Sequence, residues 1–339
     1  MIQPEAGLAP VVQAIRRAKR SIDLAVFRLN CEEIELALGA AVERGVKVRA
    51  LVAHANRGGT DRLRKLEQRL LASGVTVSRS DDHLLKYHGK FLVIDGALHV
   101  LGFNYTKADT RGTRSFGVQT RNRSAVKEAE HLFESDLTRR PYEGPRRSPL
   151  VVSPENARES LYRFVKGAKP RLAIYDARLD DAAFVALLHQ LMASGVDVQV
   201  IGHAPSLAPS TQVRALKGLR LHVRAIIRDG TRAFVGSQSL RRLELDRRRE
   251  VGLIIGNPTV SRKMLEVFDL DWETSAPGKA AGDKPERGRR RPTKVAVPAG
   301  VLDAPAPKAG RTKKRAARRT QPTPRRKPRT PVRTTRRSA

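Results

Sequence analysis

The sequence predicts an α/β protein: two tandem α/β repeats followed by a disordered basic C-terminal tail. Three observations lead there. Strand-like runs alternate with helical ones, the same order of segments recurs roughly 135 to 150 positions later, and composition changes abruptly after Ser275.

The segments pair off in order. SIDLAVFRL (Ser21 to Leu29) matches RLAIYDARL (Arg171 to Leu179), each strand-like and followed by a helical run. ERGVKVRALVAH (Glu43 to His54) then matches ASGVDVQVIGH (Ala193 to His203), each a helix end, a glycine C-cap and a buried strand. Further on, RSFGVQT (Arg114 to Thr120) matches REVGLII (Arg249 to Ile255), and helices close the halves over about 124–137 and 259–272. In each half, helices are expected to cover a mixed sheet. The Pro/Gly/Arg stretch Pro141 to Pro149 is the expected junction. Residues 1–140 therefore form the first repeat, 141–149 the linker, 150–275 the second repeat and 276–339 the tail.

The densest chemistry lies between these matches. YHGKFLVIDGALHVLGFNYT (Tyr87 to Thr106) sets His88, Lys90 and Asp95 in an H-x-K-x4-D frame, followed by Gly102 and Asn104. In a strand, residues i and i+2 share a face, so His88 and Lys90 project together, with Gly89 leaving room between them. Phe91 to Ile94 reads as a buried strand and Asp95-Gly96 as a hairpin turn. An imidazole beside a fixed ammonium suits the handling of a phosphate. A lone H-x-K is more often a packed histidine. Here the frame recurs in HVRAIIRDGTRAFVGSQS (His222 to Ser239), as His222, Arg224 and Asp229 with Gly236 and Ser237 after the hairpin.

Together the two stretches resemble the paired H-x-K-x4-D-x6-G-S-x-N motifs of the phospholipase D superfamily. The resemblance implies two phospholipase D-like α/β sandwich repeats, related by a pseudo-twofold axis, that meet at one phosphodiesterase site. It further implies a two-step reaction: one histidine attacks phosphorus to form a phosphohistidine, while the other serves as acid and then base. His88, Lys90, His222 and Arg224 are the implied catalytic set, and Asn104 and Ser237 the implied phosphate contacts. Asp95 and Asp229 are expected to brace turns. Arg224 departs from the family's lysine; it keeps the charge in a larger, differently shaped group. The first motif is one residue short: His88 to His222 is an offset of 134, whereas Gly117 to Gly252 is 135. The first repeat therefore keeps the motif's Asn and lacks its Ser, and the second does the reverse. Glu250 is expected to orient a catalytic imidazole, of either repeat, although an ion pair within RRREVG is the plainer alternative. Ser115 fills its place in the first repeat. His54 and His203 sit at matching strand ends and either line the cleft or hold a structural place. His83, His99, His131 and His189 read as ordinary surface or packed residues.

Composition narrows the partners. The net charge is +32, and residues 276–339 hold twenty-one Lys/Arg against three Asp/Glu, leaving about +14 on the rest. That tail has too few apolar residues to offset its ordering entropy, and its RTKKRAARR and RRKPR clusters suit a polyanion. No apolar run approaches a membrane span, and the N-terminal stretch lacks the order of a signal peptide. Cys31 is the only cysteine, which fits a reducing cytoplasm. No cofactor and no metal is expected, because no H-E-x-x-H, Cys/His cluster or carboxylate-rich loop occurs. The expected protein is a monomeric, cytoplasmic phosphodiesterase or phosphatidyltransferase of cardiolipin-synthase-like type. It would act on phospholipid, with an anionic phospholipid or membrane surface and, through the basic tail, DNA or RNA as partners, peripheral to a membrane or the nucleoid. A metal-independent nuclease binding DNA or RNA, and a catalytically impaired polyanion-binding module, are the alternatives.

Overall fold

The computed structural model describes residues 1–55, 60–207 and 212–277. The first repeat runs β1 (Ile2–Gln3), α1 (Ala9–Arg17), β2 (Ser21–Val26), α2 (Glu32–Glu43), β3 (Lys47–Val52), α3 (Thr60–Ala72), β4 (Thr76–Arg79), β5 (Phe91–Ile94), β6 (Ala97–Leu101), α4 (Lys107–Arg111), β7 (Thr113–Thr120) and α5 (Arg123–Leu137). The second runs β8 (Leu150–Ser153), α6 (Ala157–Lys166), β9 (Arg171–Asp176), α7 (Ala182–Ala193), β10 (Asp197–Gly202), β11 (Val213–Ala215), β12 (Arg220–Leu221), β13 (Arg224–Arg228), β14 (Arg232–Gly236), α8 (Arg242–Asp246), β15 (Glu250–Ile255), α9 (Pro258–Thr274) and β16 (Ala276–Pro277). The described residues all fall within one compact unit.

Each repeat builds a mixed sheet, ordered β1-β7-β6-β5-β2-β3-β4 in the first and β16-β11-β10-β9-β13-β14-β15-β8 in the second. The strand run FLVI is apolar on both faces because both faces are buried. Phe91 and Val93 enter a core shared by the two repeats, and Leu92 and Ile94 enter an outer core under α1 and α2. In the second repeat, Ala225 and Ile227 face the shared core while Ile226 faces outward. Phe116 packs edge-on to Tyr175 of the other repeat, ring centroids 5.6 Å apart. Burying side chains of this size contributes about 1.5–3 kcal/mol each. The shared core thus fixes the repeats against each other.

Both Asp-Gly pairs make the expected hairpins, with positive φ at Asp95, Gly96, Asp229 and Gly230. Ile94 pairs with Ala97, but Arg228 pairs with Arg232, so the second hairpin holds one more residue, Thr231. That locates the one-residue difference between the motifs in the turn. The tail boundary needs correction. Ala276 and Pro277 pair with β11; a ladder uses backbone groups, so the change in side-chain composition at Ser275 does not end the sheet. The rest of the expected tail, 278–339, lies outside the described residues.

Candidate active site

His88 and Lys90 lie just before β5 rather than within it, and His222 just before β13. Backbone pairing between repeats holds both. The His88 N–H donates to the Arg249 carbonyl at 2.7 Å, and the Arg249 N–H returns to Lys86 at 2.9 Å. Reciprocally, the His222 N–H donates to the Arg114 carbonyl at 3.2 Å, where β12 runs beside β7. Gly89 permits this approach, since a Cβ there would stand 3.0 Å from Val251 Cγ2. Its missing side chain therefore makes room for the other repeat, not for the space between His88 and Lys90.

The same two arginines lock the interface behind the histidines. Arg114 donates to Asp271 of α9 at 2.7 Å, and Arg249, 2% exposed, donates to Asp136 of α5 at 3.1 Å and to Glu155 at 2.5 Å. Arg114–Asp271 and Arg249–Asp136 each cross between repeats, 135 positions apart at both ends.

Both imidazoles line one cleft of about 940 Å³. His88 Nδ1 lies 2.7 Å from Glu250 Oε2, so Glu250 reaches across the pseudo-dyad rather than to His222. The Phe27 ring packs edge-on to His88 at 4.6 Å. With Nδ1–H donated to the carboxylate, Nε2 keeps its lone pair. Burial pushes the His88 pKa well below the usual histidine range, aided by Lys90, Lys86 and Arg224. Burial also raises Glu250, against the pull of Lys90. Lys90 donates to the His88 carbonyl at 2.8 Å, with its Nζ 3.4 Å from both ring nitrogens. Burial lowers its pKa to about 7.

His222 is held differently. Its Nδ1 is 3.7 Å from Asp109 Oδ2 and has no hydrogen-bond partner among the described residues. Burial lowers its pKa to about 3, opposed by Asp109. Arg224 donates to the His222 carbonyl at 2.6 Å and, through Nε, to Ser239 Oγ at 3.0 Å. Sequence reasoning misses Asp109. Its one signal is the repeat itself, because Glu244 stands 135 positions later in the matching short helix. Asp109 accepts the Asn104 N–H at 3.2 Å, and Glu244 accepts the Ser239 N–H at 2.8 Å.

Of the two expected phosphate contacts, Asn104 lines the cleft, with one amide hydrogen given to Asp109. Ser237 does not line it. Its Oγ accepts the Val251 N–H at 3.2 Å and lies 3.4 Å from the Val251 carbonyl, because the residue after Gly236 turns toward β15. Ser239, the counterpart of Asn104, stands against Arg224 instead. Asp95 accepts the N–H groups of Lys19, Arg20 and Ser21 at 2.8–3.0 Å, and Asp229 those of Lys169 and Arg171 at 3.0 and 3.3 Å. Both tie the hairpin to the strand beside it. His54 and His203 are exposed and off the cleft wall. His99, expected to be an ordinary surface or packed residue, is packed in β6, and burial lowers its pKa to about 4. Among the described residues no cluster of three or more His, Cys, Asp or Glu is arranged for a metal ion. No described helix is long and apolar enough to cross a membrane.

The family model for the cardiolipin synthase, phospholipase D-like domain matches residues 11–137 and 161–272. The chain belongs to this phospholipase D-like family. Its matched halves coincide with the two repeats. Among solved structures, the chain is similar to phosphatidylserine synthase of Haemophilus influenzae: 10% identity, TM-score 0.65, covering 84% of this chain and 88% of that one. It is also similar to polyphosphate kinase of Porphyromonas gingivalis: 20% identity, TM-score 0.64, covering 79% of this chain. This chain spans 45% of that kinase's length. At these identities the likeness is one of fold. A comparison with curated protein sequences finds no match.

Proposed function

We propose that this phospholipase D-like protein cleaves or transfers phosphodiester bonds through a phosphohistidine on His88. The supporting observation is the His88–Glu250 pair. A buried carboxylate at 2.7 Å from Nδ1 fixes the tautomer that leaves Nε2 nucleophilic, and it stabilises the positive ring that forms on attack. The Nε2 lone pair forms the N–P bond as the P–O bond to the leaving alkoxide breaks, and His222 gives that alkoxide a proton. Water or an alcohol then attacks phosphorus and loses its proton to His222, and the N–P bond breaks. Arg224 and Lys90 balance the charge on the non-bridging oxygens, and the Asn104 amide lies within the same cleft. Asp109 supports the imidazolium form of His222.

Each repeat supplies one histidine, so a monomer carries a complete site. Phospholipid is the substrate that the family description favours. The cleft wall, with nine Lys/Arg against two carboxylates, favours a second reading in which the phosphodiester belongs to a nucleic-acid strand. The experiment is kinetic. His88→Asn and His222→Asn should each lower turnover of a chromogenic phosphodiester by at least ~100-fold, with EDTA without effect. Near-normal rates in either variant would remove the proposal. Phosphatidylglycerol vesicles and single-stranded DNA offered in parallel separate the two substrates.

A further inference from the structure

The cleft has one wall that breaks the pseudo-symmetry. Helix α3 fills the interval between β3 and β4, whereas no described residue between β10 and β11 forms an α-helix. Leu63, Leu66 and Leu70 of α3 are buried in the outer core of the first repeat. That orientation turns Arg62 and Lys65, three positions apart and about 4.5 Å along the axis, toward the cleft.

These two cations differ from most others on the wall. Arg69 pairs with Glu35 at 2.6 Å, Arg220 pairs with Asp109, Arg248 pairs with Glu244 at 3.1 Å, and Arg241 lies 3.6 Å from Asp180. Among the described residues no carboxylate is within ion-pair distance of Arg62 or Lys65, and both are exposed. Neither belongs to the paired motifs, whose own cations, Lys90 and Arg224, already attend the histidines. An unneutralised pair outside those motifs, on the wall of the same cleft, is suited to a second anion on the same substrate molecule.

We propose that Arg62 and Lys65 form a subsite for a second phosphate, so that the cleft prefers phosphodiesters carrying a further phosphate group. The proposal rests on the reading of this cleft as the phosphodiester site. A nucleotide strand and a phosphorylated glycerol head group both offer such a group, and the chemistry that recognises it is the same. Charge-assisted contacts from a guanidinium and an ammonium to one phosphate should tighten binding about tenfold or more at low salt.

The test measures binding to the full chain carrying His88→Asn, so that ligand is not consumed. One arm compares the dinucleotide TpT with its 5′-phosphorylated form. The other compares glycerophosphoglycerol with the same compound bearing a terminal phosphate. The added phosphate should improve Kd at least about tenfold in one arm or both, and the favoured arm names the source. Arg62→Ala/Lys65→Ala should reduce that ratio below about three. Arg64→Ala, which removes a charge from the same helix off the cleft wall, should leave it intact. A ratio below about three in both arms would overturn the subsite. So would a ratio that survives the double substitution, as binding by the basic tail would produce, or one that Arg64→Ala lowers equally. Because the ratio needs no turnover, it stands or falls separately from the rates of the histidine variants.

Discussion

Glu250→Gln is the substitution that bears hardest on how His88 works. Glu250 is fully buried, and its Oε2 is 2.7 Å from His88 Nδ1. Glutamine keeps the shape and removes the charge. A hydrogen bond to a charged group is worth about 1.5–3 kcal/mol, and that interaction strengthens as the ring becomes cationic during attack, which gives roughly 10- to 150-fold in kcat. The amide can also turn its NH2 toward Nδ1, which moves the ring proton to Nε2 and blocks the attacking lone pair. Losing the correct tautomer in this way has cost a serine-protease triad about 10⁴-fold. The expected fall in kcat is therefore about 10- to 10⁴-fold on bis(p-nitrophenyl) phosphate, with KM moved much less. Thermal unfolding run alongside checks that the variant is folded. A folded Glu250→Gln with kcat within tenfold of wild type would refute the reasoning.

Other consequences follow from the same contacts. Arg249→Met strands Asp136 and the Ser153 carbonyl in the interface and should destabilise by about 3–5 kcal/mol, or roughly 6–20 °C in Tm; adding Asp136→Asn should recover part of it. Burial raises Glu128, which accepts the Tyr142 hydroxyl at 2.8 Å, from 4.5 to about 7. A raised carboxylate contributes stability that is full below pH 4.5 and lost as pH rises to 7, up to about 3 kcal/mol, so Glu128→Gln should gain on wild type across that window in urea unfolding. Arg224→Lys cannot reach both the His222 carbonyl and Ser239, and kcat/KM should fall about tenfold; Ser239→Asn, which recreates the Lys90 and Asn104 combination of the first repeat, should restore part in a double-mutant cycle. Deleting residues after Pro285 should leave the rate on a small phosphodiester unchanged and flatten the salt dependence of binding to DNA or anionic vesicles.

Much of the fold was legible because its signals are local. The Asp-Gly hairpins, the glycine-ended helices α2 and α7, and the apolar strand runs each follow from a few neighbouring residues. The histidines were legible because their frame occurs twice. What escaped depends on tertiary contacts that leave no local pattern. Whether Glu250 served His88 or His222 turned on which β-strand runs beside which motif, a pairing with no local pattern. Asp109 was hidden in a five-residue helix too short for periodicity to register. Ser237 looked like a cleft residue by its place in the motif, yet the turn after Gly236 directs its hydroxyl to Val251. The β16 pairing escaped because a backbone ladder does not need the side chains by which the tail boundary was drawn.

The central claim is that His88 carries the phosphoryl group. The direct measurement is to mix the protein with a phosphodiester, quench in base within the first turnovers, and map the phosphorylated peptide by mass spectrometry. The expected adduct lies on the peptide containing His88, is lost in His88→Asn, and accumulates in His222→Asn when a good leaving group needs no acid. An adduct on the His222 peptide would contradict the account, as would no adduct together with inversion at phosphorus.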